Sequence, residues 1–254
     1  MRRYNAILLL LAVLAASLLL TPETMAQAAG NSPQDVSLNL SLQGGGDFTK
    51  AINILLLMTA LSLAPAAIMM MTSFTRIVIV LSFLKQAMAT TNIPSARMVS
   101  ALALFLTIFI MQPVWSEIYT QAIEPYSNQA ITQKEAMARA TTPLKQFMLR
   151  QTREASIVLF MELAGMEPVD SPEKLPMSVI IPAFMLSELK TAFQIGFLIY
   201  LPFLMVDVVV ATTLMSMGMM MLPPMLISMP FKLLLFIIVD GWTLMVRSLV
   251  SSFV

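Results

Sequence analysis

Apolar and polar positions along this chain fall into long blocks rather than the short alternations of a soluble domain. Four segments are almost wholly apolar, residues 51–71, 98–114, 191–216 and 231–250, with 21, 17, 26 and 20 residues. At about 1.5 Å of rise per residue each approaches the roughly 30 Å of a bilayer core, so the pattern predicts four long membrane helices. Residues 74–89 are nearly a fifth span, interrupted by Arg76 and Lys85. Pro65, Gly196, Pro202 and Asp207 interrupt the other segments. Such residues are tolerated at membrane depth where protein rather than lipid surrounds them, which predicts helices packed in an assembly, some broken into hairpins.

Between the second and third segments the pattern changes. Residues 115–190 hold 16 of the chain's 29 formal charges and read as a water-exposed helical portion. Thr141 or Thr142 is positioned to cap a helix beginning at Pro143, and Gly165 to end it. That helix is apolar enough to need a partner surface, with Phe147 and Phe160 as aromatic anchors for a neighbouring subunit or for their own chain. Glu135 and Arg139 form an i,i+4 pair of the ordinary solvated kind. In the last segment Asp240 and Arg247 stand seven residues apart, on one face of a continuous helix. Together with Asp207 they are expected to be buried charges, satisfied between subunits or toward a wet lumen.

The N-terminus reads differently again. Arg2 and Arg3, an apolar core over residues 7–20 and Ala26-Gln-Ala28 form the pattern of a secretory signal. Cleavage after Ala28 is expected, with an uncleaved anchor as the alternative. Residues 29–50 form a polar tail in which Val36, Leu38, Leu40 and Leu42 alternate with polar residues before Gly44-Gly-Gly46. This is either one short strand or a flexible tail. The resulting domains are 1–28 signal peptide, 29–50 tail, 51–114 apolar helical region, 115–190 polar helical segment and 191–254 C-terminal apolar hairpin.

Charge adds orientation. Arg76, Lys85 and Arg97 lie between the first two long segments, and no acidic residue occurs between Asp47 and Glu117. The positive-inside bias therefore places that connection in the cytoplasm and residues 115–190 in the periplasm. Composition agrees with a membrane protein, since 58% of residues are hydrophobic and 11% charged, against about 25% charged in soluble domains. The formal net charge of +1 and the absence of basic tracts exclude a nucleic-acid binder. With no cysteine and no histidine, thiolate metal sites, cysteine nucleophiles and histidine bases are excluded. Asp207 and Asp240 lack the setting of a membrane aspartyl protease, and no glycine-rich phosphate loop is present, so the chain reads as neither an enzyme nor a cofactor-binding protein.

One run remains to be explained. Met215, Met217, Met219, Met220, Met221, Met225 and Met229 put seven methionines in fifteen residues, between the last two apolar segments. Methionine is apolar, unbranched and deformable. The run is therefore a compliant seal, a thioether ligand set for a soft ion in a metal or small-solute transporter, or packing between helices. Gly218 before the central methionines and Pro223-Pro224 after them bound a turn.

The stretch Pro182-Ala-Phe-Met-Leu-Ser-Glu-Leu-Lys-Thr-Ala-Phe-Gln-Ile-Gly-Phe197 resembles the signature of the FliP/SctR family of type III secretion export-gate proteins. The stretch from Leu222-Pro-Pro-Met-Leu-Ile-Ser-Met-Pro-Phe-Lys232 to Val239-Asp-Gly-Trp242 is similar to the family's C-terminal motif. Supporting runs begin at Ser73-Phe-Thr-Arg76 and Ala101-Leu-Ala-Leu-Phe105. The likeness spans about residues 50–254; the connection Asn92-Ile-Pro-Ser-Ala-Arg97 departs from it. It implies an all-α membrane subunit that assembles, as a pentamer, with FliQ and FliR into a helical, conical pore complex in the bacterial inner membrane at the flagellar basal body. FlhB and FlhA associate with that complex, and unfolded flagellar subunits pass through it. It further implies that Met219, Met220 and Met221 form a pore gasket, with Gly218, Pro223 and Pro224 as its loop hinge, and that Glu188 and Lys190 make intersubunit contacts. The signal peptide favours the flagellar branch over the injectisome branch.

Overall fold

The computed structural model describes residues 45–90, 94–167, 171–219 and 221–253. The expected signal peptide and the alternating stretch at residues 36–42 lie outside the described residues. Two compact units divide between Ala67 and Ile68. The described residues of the first lie in α1 (Gly45–Met70), which takes in residues 51–70 of the first apolar segment, runs through Pro65 without a break and ends three residues into the second unit.

The second unit is all-helical among the described residues. It contains α2 (Phe74–Ala87), α3 (Ala96–Ile110), α4 (Gln112–Ile118) and α5 (Glu124–Ser127), with a π-helical turn over Tyr119–Ile123 between the last two. Then come α6 (Gln133–Gln151), α7 (Glu154–Leu163), α8 (Met177–Ser216), α9 (Pro224–Ile238) and α10 (Gly241–Ser251). By length and composition α8 is able to cross a membrane, and two bent pairs pass the same test together. These are α3 with residues 112–127, bent by 56°, and α9 with α10, bent by 66°.

The longest element is also the spine. At 40 residues and about 1.5 Å per residue α8 extends roughly 60 Å, twice a bilayer core. It continues through Gly196, Pro202 and Asp207, which the sequence marks as interruptions, and through Pro182 as well. Gly196 has a packing reason instead, because a Cβ there would lie 2.6 Å from the Phe83 ring of α2. The breaks fall elsewhere. Met111, fully buried, joins α3 to α4. At Asp240 the backbone turns left-handed (φ 49°), a conformation that Asp adopts more readily than most residues. Beyond it the Phe236 ring fills the space where a Gly241 side chain would stand.

Two apolar cores result. One gathers Ile77, Val80 and Leu84 of α2 with Ala103, Phe203, Phe236 and Leu249. The other surrounds the charge-rich segment and includes Met111, Phe147, Met148, Leu175, Ile180 and Phe184. Phe253 packs against both.

In the charge-rich segment the helix expected to start at Pro143 starts ten residues earlier. Thr132 caps α6 by accepting from the Glu135 N–H at 3.4 Å, and Pro143 sits buried inside the helix. Thr132-Gln-Lys-Glu135 is a capping-box sequence, a stronger local signal than proline, which is also tolerated inside a helix when packing compensates. The expected single helix is also broken at Thr152-Arg153. Ser187 of α8 holds that break: its hydroxyl accepts from the Arg153 N–H at 2.9 Å and donates to the Gln151 carbonyl at 3.3 Å. Gly165 does end α7, at φ 62°. Its N–H bonds to the Glu162 carbonyl and the Met166 N–H to the Met161 carbonyl, both at 3.0 Å, which is the Schellman arrangement.

Candidate functional site

The methionine run closes the hairpin between α8 and α9. The end of α8 is a second Schellman motif: the Gly218 N–H bonds to the Met215 carbonyl at 3.1 Å and the Met219 N–H to the Leu214 carbonyl at 3.0 Å. This motif needs a left-handed residue after the helix, and Gly218 supplies it at φ 75°. Pro223 then adopts extended backbone at the N-cap of α9 and Pro224 begins the helix, where a missing N–H costs nothing. Local chemistry thus fixes both ends of a short loop. Of the three central methionines, Met219 is exposed and Met221 is 98% exposed, while Met220 lies outside the described residues. An apolar cavity of about 780 Å³ runs along the hairpin behind the loop, lined by Met205, Val209, Leu214, Ile227 and Phe231 among others.

A polar clamp joins the two helices below this loop. Lys232 of α9 is fully buried and donates to the Asp207 carboxylate of α8 at 2.6 Å; the Ser228 hydroxyl donates to the same carboxylate at 2.5 Å. An unpaired buried ammonium is costly, so the pair fixes the register of α8 on α9. Lys232 is thus a structural residue that joins the two helices.

A second buried pair stands near the other end of α8. The side chains of Arg76 and Glu188 are 3% and 0% exposed and form a bidentate ion pair. Arg76 also donates to the Ser252 carbonyl at 2.9 Å, the Ser252 hydroxyl at 3.1 Å and the Gln151 amide oxygen at 3.0 Å. Its guanidinium carbon lies 3.8 Å from the centre of the Phe253 ring. All five guanidinium donors therefore have acceptors, and one side chain ties α2, α6, α8 and the chain's C-terminal residues together.

These contacts redirect several expected roles. Glu188, expected between subunits, is enclosed by its own chain because the Arg76 charge requires it there. Phe147 also turns inward, 5% exposed and edge-on to Phe184. Phe160 is half-buried and Lys190 exposed, so both remain available to a neighbour. Of the three expected buried charges, Asp207 is half-buried, whereas Asp240 and Arg247 are exposed on this chain's surface. The helical break at Asp240 removes them from one continuous helix, so the seven-residue spacing no longer sets their relation. Sequence reasoning missed the roles of Arg76, Gln151, Ser187 and Ser252. The one available signal was an arginine inside an apolar run.

Comparison with known proteins agrees with the motifs. The FliP family model matches residues 57–249. The flagellar biosynthetic protein FliP of Pectobacterium carotovorum subsp. carotovorum is 48% identical over 236 residues, covering 93% of this chain and 90% of that protein. The protein of the same name from Bacillus subtilis (strain 168) is 51% identical over 205 residues, covering 81% and 93%. That of Caulobacter vibrioides is 44% identical over 251 residues, covering 99% and 91%. A match over most of the chain, including both motif blocks and the methionine loop between them, makes this chain a member of the FliP family.

Proposed function

We propose that this protein is a core subunit of the flagellar type III protein export gate, in which the loop carrying Met219, Met220 and Met221 seals the closed pore. Copies of the chain, five in number, assemble with FliQ and FliR in the bacterial inner membrane, and FlhB and FlhA dock on that assembly. Residues 1–28 direct insertion, the polar segment 115–190 faces the periplasm, and unfolded flagellar subunits are the cargo. The relatives' names support the flagellar branch over the injectisome one.

The observation that carries the reading is Met221, 98% exposed at the tip of a hairpin whose ends are fixed by Gly218 and by Pro223-Pro224. A side chain held out by a defined turn is placed to meet its symmetry copies in a ring. Apolar, deformable side chains exclude ions by dewetting and yield to a passing polypeptide. Assembly is supported by the apolar side chains the single chain leaves exposed, among them Phe193, Phe197, Leu198, Met205 and Val209 of α8; so large an apolar face needs lipid or protein cover. Lys190 and Phe160 are candidate contacts between subunits, and Asp240 and Arg247 are placed to find partners there.

The test is replacement of all three methionines by serine in the membrane-embedded complex. The expected result is an ion leak through the resting gate with assembly size unchanged on native gels. An intact permeability barrier in the assembled variant would overturn the gasket reading.

A further inference from the structure

The bend between α9 and α10 carries two charges that the buried pairs do not use. From Phe231 to the end of the sequence the ionisable side chains are Lys232, Asp240 and Arg247 alone, and Lys232 is committed to Asp207. Asp240 and Arg247 are both exposed, and among the described residues neither side chain has a hydrogen-bond or ion-pair partner.

Asp240 occupies the N-cap of α10, where an aspartate ordinarily accepts from an N–H of the first turn. It makes no such bond, although its backbone takes the left-handed conformation (φ 49°). Glycine makes that turn at no steric cost, so what an aspartate adds here is a carboxylate, and within the chain that carboxylate caps nothing. The side chains flanking it in sequence are apolar and exposed: Ile237, Ile238, Val239, Trp242 and Leu244. Once lipid or protein covers such a surface, an ionised group on it needs an opposite charge.

Arg247 supplies that charge on the same short helix. α10 buries Gly241, Met245 and Leu249; at 3.6 residues per turn Arg247 falls about 200° round from Met245, on the outer face. Along the axis it stands about 10 Å from Asp240. α10 is bent by 66° from α9. In a ring whose axis follows α9, α10 therefore runs mainly across that axis, and successive copies of α10 lie head to tail around it.

We propose that Asp240 of one copy pairs with Arg247 of the next, so that the α10 helices form a belt of ion pairs around an assembly of identical chains. Charge complementarity selects a second copy as the occupant: the surface offers one anion and one cation, and rotation alone brings them together, each neutralising the other. Such a contact joins different faces of successive copies and closes into a ring. The belt requires the self-assembly proposed above and is independent of the methionine gasket.

The test is disulfide cross-linking of the full chain in membranes, where the absence of native cysteine leaves no background. With Asp240→Cys and Arg247→Cys in one chain the two sulfurs cannot join within it, since about 10 Å of helix separates Cα atoms that a disulfide holds roughly 4.4–6.8 Å apart. Oxidation with copper phenanthroline is expected to give a ladder of covalent oligomers longer than a dimer, and either single variant alone to give none. A second readout uses charge without sulfur. Asp240→Arg and Arg247→Asp are each expected to lower the assembled fraction on native gels about tenfold or more, because like charges then meet, and the two together in one chain to restore it. The pairing is overturned by a missing ladder in a variant that assembles to normal size, by a ladder that ends at the dimer, or by cross-linking of either single variant. It is equally overturned by a double reversal that assembles no better than the single ones, a result that decides the matter even if the double-cysteine chain fails to assemble. A parent chain that stays monomeric on native gels overturns the self-assembly itself, which separates that failure from failure of the pairing alone.

Discussion

Replacing Glu188 by Gln preserves the shape of the Arg76 site and removes its negative charge. Arg76 would keep its bonds to Ser252 and Gln151 and its place on the Phe253 ring, yet remain a cation that is almost fully enclosed. Removing one partner of a buried ion pair costs about 3–5 kcal/mol, because the remaining charge has neither water nor a counter-ion. The same chain contains a control. Glu135 and Arg139 also form a salt bridge, at 2.7 Å, but their side chains are 49% and 46% exposed, and an exposed i,i+4 pair is worth only about 0.3–0.5 kcal/mol. Unfolding of the purified full chain in mixed micelles should therefore show Glu188→Gln losing several kcal/mol and Glu135→Gln less than about 1. The double variant Arg76→Met with Glu188→Leu should recover part of the loss, since no unpaired charge remains. Recovery should be incomplete, because Ser252 and Gln151 lose their donor. Equal, small effects of Glu188→Gln and Glu135→Gln would refute the reasoning. So would a Glu188→Gln chain of normal stability that fails only to oligomerise, which would return Glu188 to the subunit boundary.

Two backbone predictions follow from the glycines. Gly196→Ala places a Cβ 2.6 Å from Cδ2 and 2.7 Å from Cγ of Phe83; the ring root cannot swing away easily, so a loss of about 1–3 kcal/mol is expected in the same micelle assay, relieved by adding Phe83→Leu. Gly218→Ala meets no atom within 4 Å, so its cost is the left-handed backbone alone, about 1–2 kcal/mol, and Gly218→Asn should lose less; proteolysis of the loop would read this as faster cleavage after Met217, and equal rates for Gly218→Ala and the parent chain would count against the Schellman cap.

Much of the helix layout was legible because it is decided locally. Helix ends at Gly165 and Gly218 follow from the left-handed residue a Schellman motif needs. The N-terminus of α9 follows from Pro223-Pro224, and the long helix α8 follows from apolar length. The Thr132-Gln-Lys-Glu135 start of α6 was equally legible but outweighed by Pro143. The breaks were harder. Hydropathy averages over a window and is blind to a backbone reversal within it, so residues 98–114 and 231–250 read as single helices although Met111 and Asp240 divide them. Conversely Pro202 and Gly196 suggested breaks that packing overrides.

The sequence by itself determined that this chain is a set of long apolar helices with a polar segment between them, that it lacks cysteine and histidine chemistry, and that its methionines cluster at a turn. Those properties reside in composition and in neighbours within one or two helical turns. Only the tertiary structure decided which charges meet. Arg76 finds Glu188 across 112 residues and Ser252 across 176, and Asp207 finds Lys232 across 25. No local periodicity encodes such pairings, because they depend on how α8 lies against α2, α9 and the C-terminal turn. The same packing moved Glu188 from an expected contact between subunits to the interior of one.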